Sequence, residues 1–565
     1  QYIREGYQFK TLSDTEVILA LYEKHGLNLF RYLNGMFSFC IYDMKRESVI
    51  IARDHFGIKP VVYTTIRNSI YFSSEVKAFY AIPEWRPRPD MNAWHSFLNI
   101  RFPPSPFTLF QDVKKVPPGC YIYLTKNGVE NNFFNNHIKM SNIDLGNWNG
   151  GVFRYYSLQA EEAHIGYKEA GEHLQTLLSR SVKKQLIADV DTGVYLSGGI
   201  DSSTLIALAS KYKRDKLSSL CFGFNELTDE NRDAGLVAKK YNTIHHDLYI
   251  NDTPLSNFRK TIYYMEEPKV NCLQGFLISK EARKYQKVML SGLGGDELFG
   301  GYDIYTIAQY LDTMNKPYIR SGVHYSAVLI RMILSLFPFL YIDNFRRGTD
   351  VLKNLTHPLD IYLLLRNSWD HDKRLIKNIY KKDILRNEAS TVRNNFNHSF
   401  QRQNTITQSF MNFELGNKMV DDFLSNEDRM SMAHGLEVRV PFLDKDIVEY
   451  VHSLPLSYKI KMGNRKIILR CLIRDKVPNE ILKKRKQGFT FNPVCQFKKD
   501  LGPFAAKYLS RERVEESGLF NYRYINKIVN SYPERSLRWH YFLLWKIIGY
   551  HIWEDIFIKD GGSFE

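Results

Sequence analysis

Seven consecutive residues, Ser197-Gly198-Gly199-Ile200-Asp201-Ser202-Ser203, combine the groups that bind a phosphate. Two glycines permit a tight turn and a close backbone approach to a ligand. Three hydroxyls and the amides of an opening helix can face an anion at the positive end of the helix dipole. The Asp201 carboxylate is out of place beside phosphate unless a divalent cation bridges the two, so the loop also implies Mg²⁺. A second string, Ser291-Gly292-Leu293-Gly294-Gly295-Asp296-Glu297-Leu298-Phe299-Gly300-Gly301-Tyr302, is again glycine-rich and carries two adjacent acids. Alone, the first would pass for a capped helix and the second for a surface turn. Two such strings after two apolar strands make a more specific pattern.

Those strands belong to a regular alternation. The text predicts a helix over 167–187, then strand 190–196 leading into the first loop. Strand 218–224, helix 231–241, strand 243–249 and strand 287–291, which enters the second loop, follow. This order predicts a parallel, doubly wound sheet. Ligands lie outside the carboxyl ends of such strands, so Asp201 and Asp296 are expected to converge on one Mg²⁺–pyrophosphate. Beyond residue 300 the pattern is helical, and 303–400 read as amphipathic helices covering the sheet. Upstream, 37–41, 49–52, 61–64 and 69–72 are short β-type runs, and Ser13-Asp14-Thr15-Glu16 opens a helix. Residues 127–152, rich in Asn and Gly, read as a linker. The expected division is 1–150, an α+β layer domain without its first strands, and 151–565.

The bulk properties agree with two domains. A chain of 565 residues exceeds what one core usually supports. Its 44% hydrophobic and 24% charged residues are those of an ordinary folded protein. The formal charge of +16 raises nucleic acid or a membrane surface as partners, but the basic residues are scattered, which argues against nucleic acid. Six dispersed cysteines without a Cys-x-x-Cys pair suggest neither a disulfide framework nor a zinc knuckle, and fit a reducing cytoplasm. The most apolar stretch, 325–342, is broken by Arg331 and Pro338 and falls short of the ~20 apolar residues of a membrane span; it reads as a buried or peripheral helix.

The first loop resembles the PP-loop of ATP pyrophosphatases, and it lacks the Gly-Lys-Ser/Thr ending of a Walker loop. Further strings extend the likeness: Asp421-Asp422, Glu427-Asp428-Arg429-Met430-Ser431, Lys466-Ile467-Ile468-Leu469-Arg470, Arg485-Lys486-Gln487-Gly488-Phe489, and Arg53-Asp54-His55-Phe56-Gly57-Ile58-Lys59-Pro60 upstream. Over most of 6–123 and 165–495 the chain resembles the asparagine synthetase family. That resemblance implies an Ntn-type glutaminase layer followed by a PP-loop synthetase with a helical C-terminal part. It implies ATP and Mg²⁺ as cofactors, glutamine as nitrogen donor, aspartate or another carboxylate as acceptor, an acyl-adenylate between them, and a possible homodimer. By motif, Ser197, Gly198, Gly199, Asp201, Ser202 and Ser203 would hold pyrophosphate and metal, with Asp296 the second metal ligand. Leu196, Phe222, Ser291 and Gly292 would border the nucleoside. Lys466 would stabilise charge during adenylation, Asp422 would orient substrate or base, and Asp14 would receive the glutamine amino group. Glu437 and Arg439 are expected to form a bracing ion pair.

Two departures bear on function. Several family members carry an acid between the first two glycines of the second loop, where this chain has Leu293. Either Glu297 or Asp422 then takes the proton, or the acceptor is not aspartate. The family's glutaminase also uses an N-terminal cysteine and an Asn-Gly oxyanion pair, and neither precedes Ser13. Residue 1 is Gln, and roughly 80 residues of such a domain are expected to be missing. The chain as written is therefore not expected to hydrolyse glutamine, although the native protein is. Cys40, inside a strand, reads as a small core residue. The other readings are amidation of a sugar acid for a surface polysaccharide, a tRNA-modifying PP-loop enzyme, and a non-catalytic protein that retains the fold.

Overall fold

The computed structural model describes residues 7–126, 138–159, 161–213, 215–224, 229–250, 254–337, 339, 342–381, 392–396, 399–484, 494, 497–498, 502–531 and 537–563. The Arg485–Phe489 string lies outside the described residues. The first helix, α1 (Asp14–His25), starts where the sequence places it, with the Ser13 hydroxyl accepting from the Thr15 N–H at 3.2 Å.

Eight strands follow: β1 (Ser38–Asp43), β2 (Ser48–Arg53), β3 (Val62–Ile66), β4 (Ser69–Ser73), β5 (Val113–Lys115), β6 (Cys120–Thr125), β7 (Ile138–Asp144) and β8 (Asn149–Arg154). Five of them form an antiparallel sheet in the order β1-β2-β6-β8-β7, and β4-β3-β5 form a second. The expected linker at 127–152 is thus corrected: its described part is largely strand, and the division at 150/151 falls inside β8. The glycines there give close approach rather than flexibility. A Cβ on Gly150 would lie 1.9 Å from the Tyr123 carbonyl oxygen, and one on Gly151 2.1 Å from that of Ser141. Cys40 is corrected too. Alternation along edge strand β1 turns Ile41 into the core and leaves Cys40 exposed.

The smaller sheet and helix α2 (Met91–Ile100) do not close a core alone. Val62, Phe79, Trp94, Phe97 and Phe110 share one with the helix Arg538–Glu554, nearly five hundred positions away. The Trp94 and Trp553 rings meet edge to face at 5.0 Å, and Lys546 Nζ donates to the Leu98 carbonyl at 2.6 Å.

The second large sheet is parallel: β9 (Thr192–Tyr195), β10 (Ser218–Gly223), β11 (Ile244–Tyr249), β12 (Val288–Leu290) and β13 (Glu437–Arg439), in the order β11-β10-β9-β12-β13. Both faces are covered, which is why the strands read as apolar runs. Helices α3 (Tyr167–Gln185), α4 (Ile200–Ala209) and α5 (Asn231–Lys240) contribute to one core with Leu196 and Cys221. Helices α6 (Phe258–Met265) and α7 (Cys272–Ala282) contribute to another with Leu220 and Phe222. The strand order turns back at β9 and β12, and the short helix α8 (Gly295–Phe299) follows β12.

The helices α9 (Asp303–Met314), α10 (Pro317–Ser335), α11 (Asp343–Lys353), α12 (Pro358–Leu365), α13 (Lys373–Ile379) and α14 (Val392–Phe396) fall in the 303–400 span expected to cover the sheet, and α15 (Ile406–Phe413) follows it. Instead Ile304, Tyr305, Leu355, Tyr362, Phe396 and Phe410 build a separate helical core. The span expected to be a buried or peripheral helix is peripheral: within α10 only Ala327 is buried. Among the described residues no helix is long and apolar enough to cross a membrane.

Candidate functional site

Strand β9 ends at Tyr195, buried Leu196 follows, the chain turns at Ser197-Gly198-Gly199, and α4 begins at Ile200. Gly198 has φ +65°, and a Cβ there would lie 2.6 Å from that of Asp233. The serines brace the turn. The Ser202 hydroxyl accepts from the Ser197 N–H at 3.2 Å, and Ser197 Oγ accepts from the Gly199 N–H at 3.3 Å. Ser203 Oγ and Asp201 Oδ1 are buried with no hydrogen-bond partner among the described residues. Two oxygens withheld from water and left unpartnered are costly unless a ligand meets them.

The loop after β12 comes to the same place. Gly292 packs on Asp201, where a Cβ would meet the Asp201 Cβ at 3.0 Å. Asp296, at the start of α8, points back toward α4. Lys466, opening the helix Ile467–Ile473 in a left-handed conformation of φ +54°, inserts its ammonium between the acids. It pairs with Asp201 Oδ2 and lies 2.6 Å from Asp296 Oδ1. This close packing depends on two missing Cβ atoms. One on Gly295 would sit 2.5 Å from Asp201 Oδ1, and one on Gly301 would sit 1.8 Å from Asp296 Oδ1.

The cavity beside this cluster is about 90 Å³ and is lined by Ser197, Gly199, Asp201, Glu230, Arg465, Lys466, Arg470 and Lys484. Its four basic side chains can attract a polyanion. Lys484 is shared between Glu230 at 2.7 Å and Asp233 at 2.6 Å. Sequence reasoning missed Arg465 and Lys484, each one position before a quoted string, and Glu230, because a single charge beside a motif or in a loop does not say which way its side chain turns. Leu196 and Phe222 pack into cores on opposite faces of the sheet, so only their main chains remain at the strand ends. Asp14 stands exposed in the first turn of α1.

Glu297 and Asp422 lie deeper. Burial pushes the Glu297 carboxyl up, against the Tyr302 hydroxyl that donates to it at 2.6 Å and the charges of Lys418 and Lys466. Asp422 sits in the π-turn segment Glu414–Leu424. Burial would raise its carboxyl, but Lys269, Lys418 and Arg101 outweigh that and hold it below the carboxylate norm. Burial drives the Lys418 ammonium well below the usual lysine range. Arg366 and the Tyr362 and Tyr305 hydroxyls converge on the buried Glu414. Leu293 is half-buried against the apolar core that holds Leu290 and Leu443. Glu437 and Arg439 pair at 2.7 Å, and Arg439 also donates to the carbonyls of Gln185 and Ile187.

The Arg53–Pro60 string joins the two sheets' territories. Asp54 accepts from the amides of Phe56, Ile58 and Lys59, and the Lys59 ammonium reaches Asp428 at 2.7 Å. Nearby, Lys115 lies 3.2 Å from Asp421 and 3.5 Å from Glu267, and the Ser105 hydroxyl donates to Asp421 at 2.7 Å. Lys115, Glu267 and Asp421 border a cavity of about 40 Å³ whose wall also includes Arg53 and, from helix α16 (Ser425–Met432), Ser425 and Arg429.

Comparison with known proteins agrees with this architecture. Residues 173–554 match the asparagine synthase family and residues 1–135 the glutamine amidotransferase domain. The chain is 30% identical over 496 residues to asparagine synthetase [glutamine-hydrolyzing] 1 of Bacillus subtilis (strain 168), covering 86% of this chain and 72% of that protein. It is 26% identical to asparagine synthetase [glutamine-hydrolyzing] 3 of the same strain, with the same coverage. Amidase chyE of Penicillium rubens is 26% identical over 539 residues, covering 86% and 73%. An Ntn-type glutaminase layer followed by a PP-loop synthetase is the fold of the chain, and it belongs to the asparagine synthetase family of glutamine-dependent carbon–nitrogen ligases.

Proposed function

We propose that the protein forms an amide on a carboxylate, aspartate first among candidates, through an acyl-adenylate, with ammonia drawn from glutamine. The observation that carries this reading is the meeting of Asp201, Asp296 and Lys466 in the loops after two adjacent parallel strands, with Asp201 Oδ1 left unpartnered among the described residues. In the first step an acceptor carboxylate oxygen attacks the α-phosphorus of ATP, and the bond to pyrophosphate breaks. In the second, the ammonia nitrogen attacks the acyl carbon, the carbon–oxygen bond breaks, AMP departs, and a proton passes to a base.

Ser197, Gly198, Gly199, Ser202 and Ser203 hold pyrophosphate through amides and hydroxyls, and the main chains of Leu196, Phe222, Ser291 and Gly292 border the nucleoside. Asp201 and Asp296 would hold Mg²⁺, which neutralises phosphate charge when bound; two hard carboxylates, one with an unpartnered oxygen, fit it. The Lys466 ammonium stabilises charge as the pyrophosphate bond breaks. Glu297, its carboxyl raised by burial, is the stronger candidate base. Asp422, held ionised, orients the acceptor, and Asp14 receives the glutamine amino group. The glutaminase part runs through β8 and the synthetase part begins by α3.

A second reading, amidation of a sugar acid or another carboxylate, rests on Leu293, whose apolar side chain cannot accept a proton. Pyrophosphate release with ATP, Mg²⁺ and ammonium separates the two. Release that depends on aspartate and yields asparagine supports the first. Release with a uronic-acid nucleotide but not with aspartate supports the second. Release with neither overturns the adenylation scheme.

A further inference from the structure

The helix α10 is mounted with its apolar side outward. Its inner side is held by polar contacts: His324 Nδ1 lies 3.1 Å from the Lys353 carbonyl oxygen, Arg331 Nε donates to Asp350 at 3.0 Å, and Arg346 Nε donates to the Leu334 carbonyl at 3.2 Å. The outer side presents Tyr318, Tyr325, Leu329, Met332, Ile333 and Leu336, each more than half exposed. These recur at helical spacing, and Phe337, Phe339 and Phe345 extend the exposed surface beyond the helix end. A surface helix of a soluble protein turns such a stripe inward, and a contiguous apolar face left in water marks an interaction site.

Charge selects the occupant. Between Met314 and Ile342 the chain carries Lys316, Arg320 and Arg331 and no acid, and Lys316 and Arg320, at the start of the helix, are exposed. The whole chain carries +16. On the inner side, Arg331, Lys353 and Arg374 of a cavity of about 380 Å³ are paired with Asp350 and Asp372, which leaves the exposed Lys316 and Arg320 as the cations beside the stripe. A second copy docked through this face would set basic flank against basic flank. An anionic lipid surface meets both features: acyl chains for the apolar stripe, phosphate headgroups for the flanking cations.

We infer that α10 is an interfacial helix that seats the protein on anionic membranes, its axis along the surface and Lys316 and Arg320 meeting headgroup phosphates. No residue of the helix lines the cavity beside the nucleotide loops, so the inference stands whichever acceptor the enzyme uses.

The test is co-sedimentation of the full chain with two kinds of vesicle, phosphatidylcholine alone and phosphatidylcholine with about 30% phosphatidylglycerol. Binding is expected to the anionic vesicles only and to weaken with salt. The double variant Leu329→Glu with Ile333→Glu changes two exposed side chains, so its melting temperature should match the wild type while its partition coefficient falls about tenfold or more. Lys316→Glu with Arg320→Glu should weaken binding to anionic vesicles in the same assay. Absence of binding to anionic vesicles overturns the inference, as does binding that the glutamate pair leaves unchanged. A wild-type dimer that the glutamate pair converts to monomer would also overturn it, in favour of contact between copies.

Discussion

Replacing Lys466 by methionine keeps the length of the side chain and removes the positive charge that sits between Asp201 and Asp296. Lys466 is 6% exposed and Asp296 8% exposed, so little water can screen what remains. Breaking a buried ion pair by deleting one partner costs about 3–5 kcal/mol. Unfolding entropy of about 2.1 cal/mol/K per residue over the 565 residues that share one core gives about 1.2 kcal/mol/K. The variant should therefore melt about 3–4 °C below the wild type in chelator. Mg²⁺ should then take over the role of the ammonium. At a hundredfold excess over its dissociation constant it returns about 2.7 kcal/mol, or about 2 °C. Calorimetry of both proteins with EDTA and with Mg²⁺ reads this directly, and pyrophosphate release should fall about 10²–10³-fold in the variant. Equal melting temperatures in EDTA, or a Mg²⁺ response no larger than that of the wild type, would refute the account of Lys466 as the counter-charge of a two-carboxylate site.

Three further outcomes follow from the same geometry. Gly301→Ala puts a Cβ 1.8 Å from Asp296 Oδ1, so pyrophosphate release should drop about a hundredfold or more, while Gly322→Ala, with open space around its Cβ, should leave the rate unchanged and raise stability by about 0.5–1 kcal/mol. His55 is buried against Phe37, Tyr155 and Tyr156, and burial, with Lys445, pulls its imidazole down to about 3. Below pH 6.5 the unfolded chain binds a proton that the folded chain refuses, so this residue's contribution is complete above pH 6.5 and lost as pH falls toward 3. Denaturant titrations of His55→Gln should show the acid-limb slope reduced by about 1.4 kcal/mol per pH unit. Trp553→Ala empties a fully buried site and should cost about 3–5 kcal/mol, with circular dichroism and tryptophan fluorescence of the remaining indoles reporting one shared transition.

The parallel sheet and its two loops were legible because their signals are local. The β9 strand, glycine turn and helix lie within twenty residues, and the same holds for β12 and α8. The strands and helices for which the sequence predicted bounds in this layer end within two residues of them, whereas β13, α6 and α7 were not foreseen. What failed was non-local. Gly150 and Gly151 looked like linker residues because their partners, the Tyr123 and Ser141 carbonyls, come from other strands. The helices after residue 303 have amphipathic patterns that state a need for apolar partners without saying which, and they chose one another over the sheet. Lys484 and Glu230 meet only after folding brings residues more than two hundred positions apart together.

The core shared by the early strands and the last long helix sets a timetable. Val113 leaves the ribosome with Val62, Trp94 and Phe110 already made, yet Trp545, Trp553 and Phe557 are translated roughly 430 residues later. At about 5–20 residues per second that interval lasts on the order of 20–90 s. For all of it the nascent chain carries half of an aromatic core without its lid. The core therefore closes only once Trp545 and Trp553 have emerged, and a chaperone able to mask the waiting surface should raise the yield of native protein. A synthetase part produced alone would expose Trp545 and Trp553 in the same way, so a cut between β8 and α3 would open a core that both parts share.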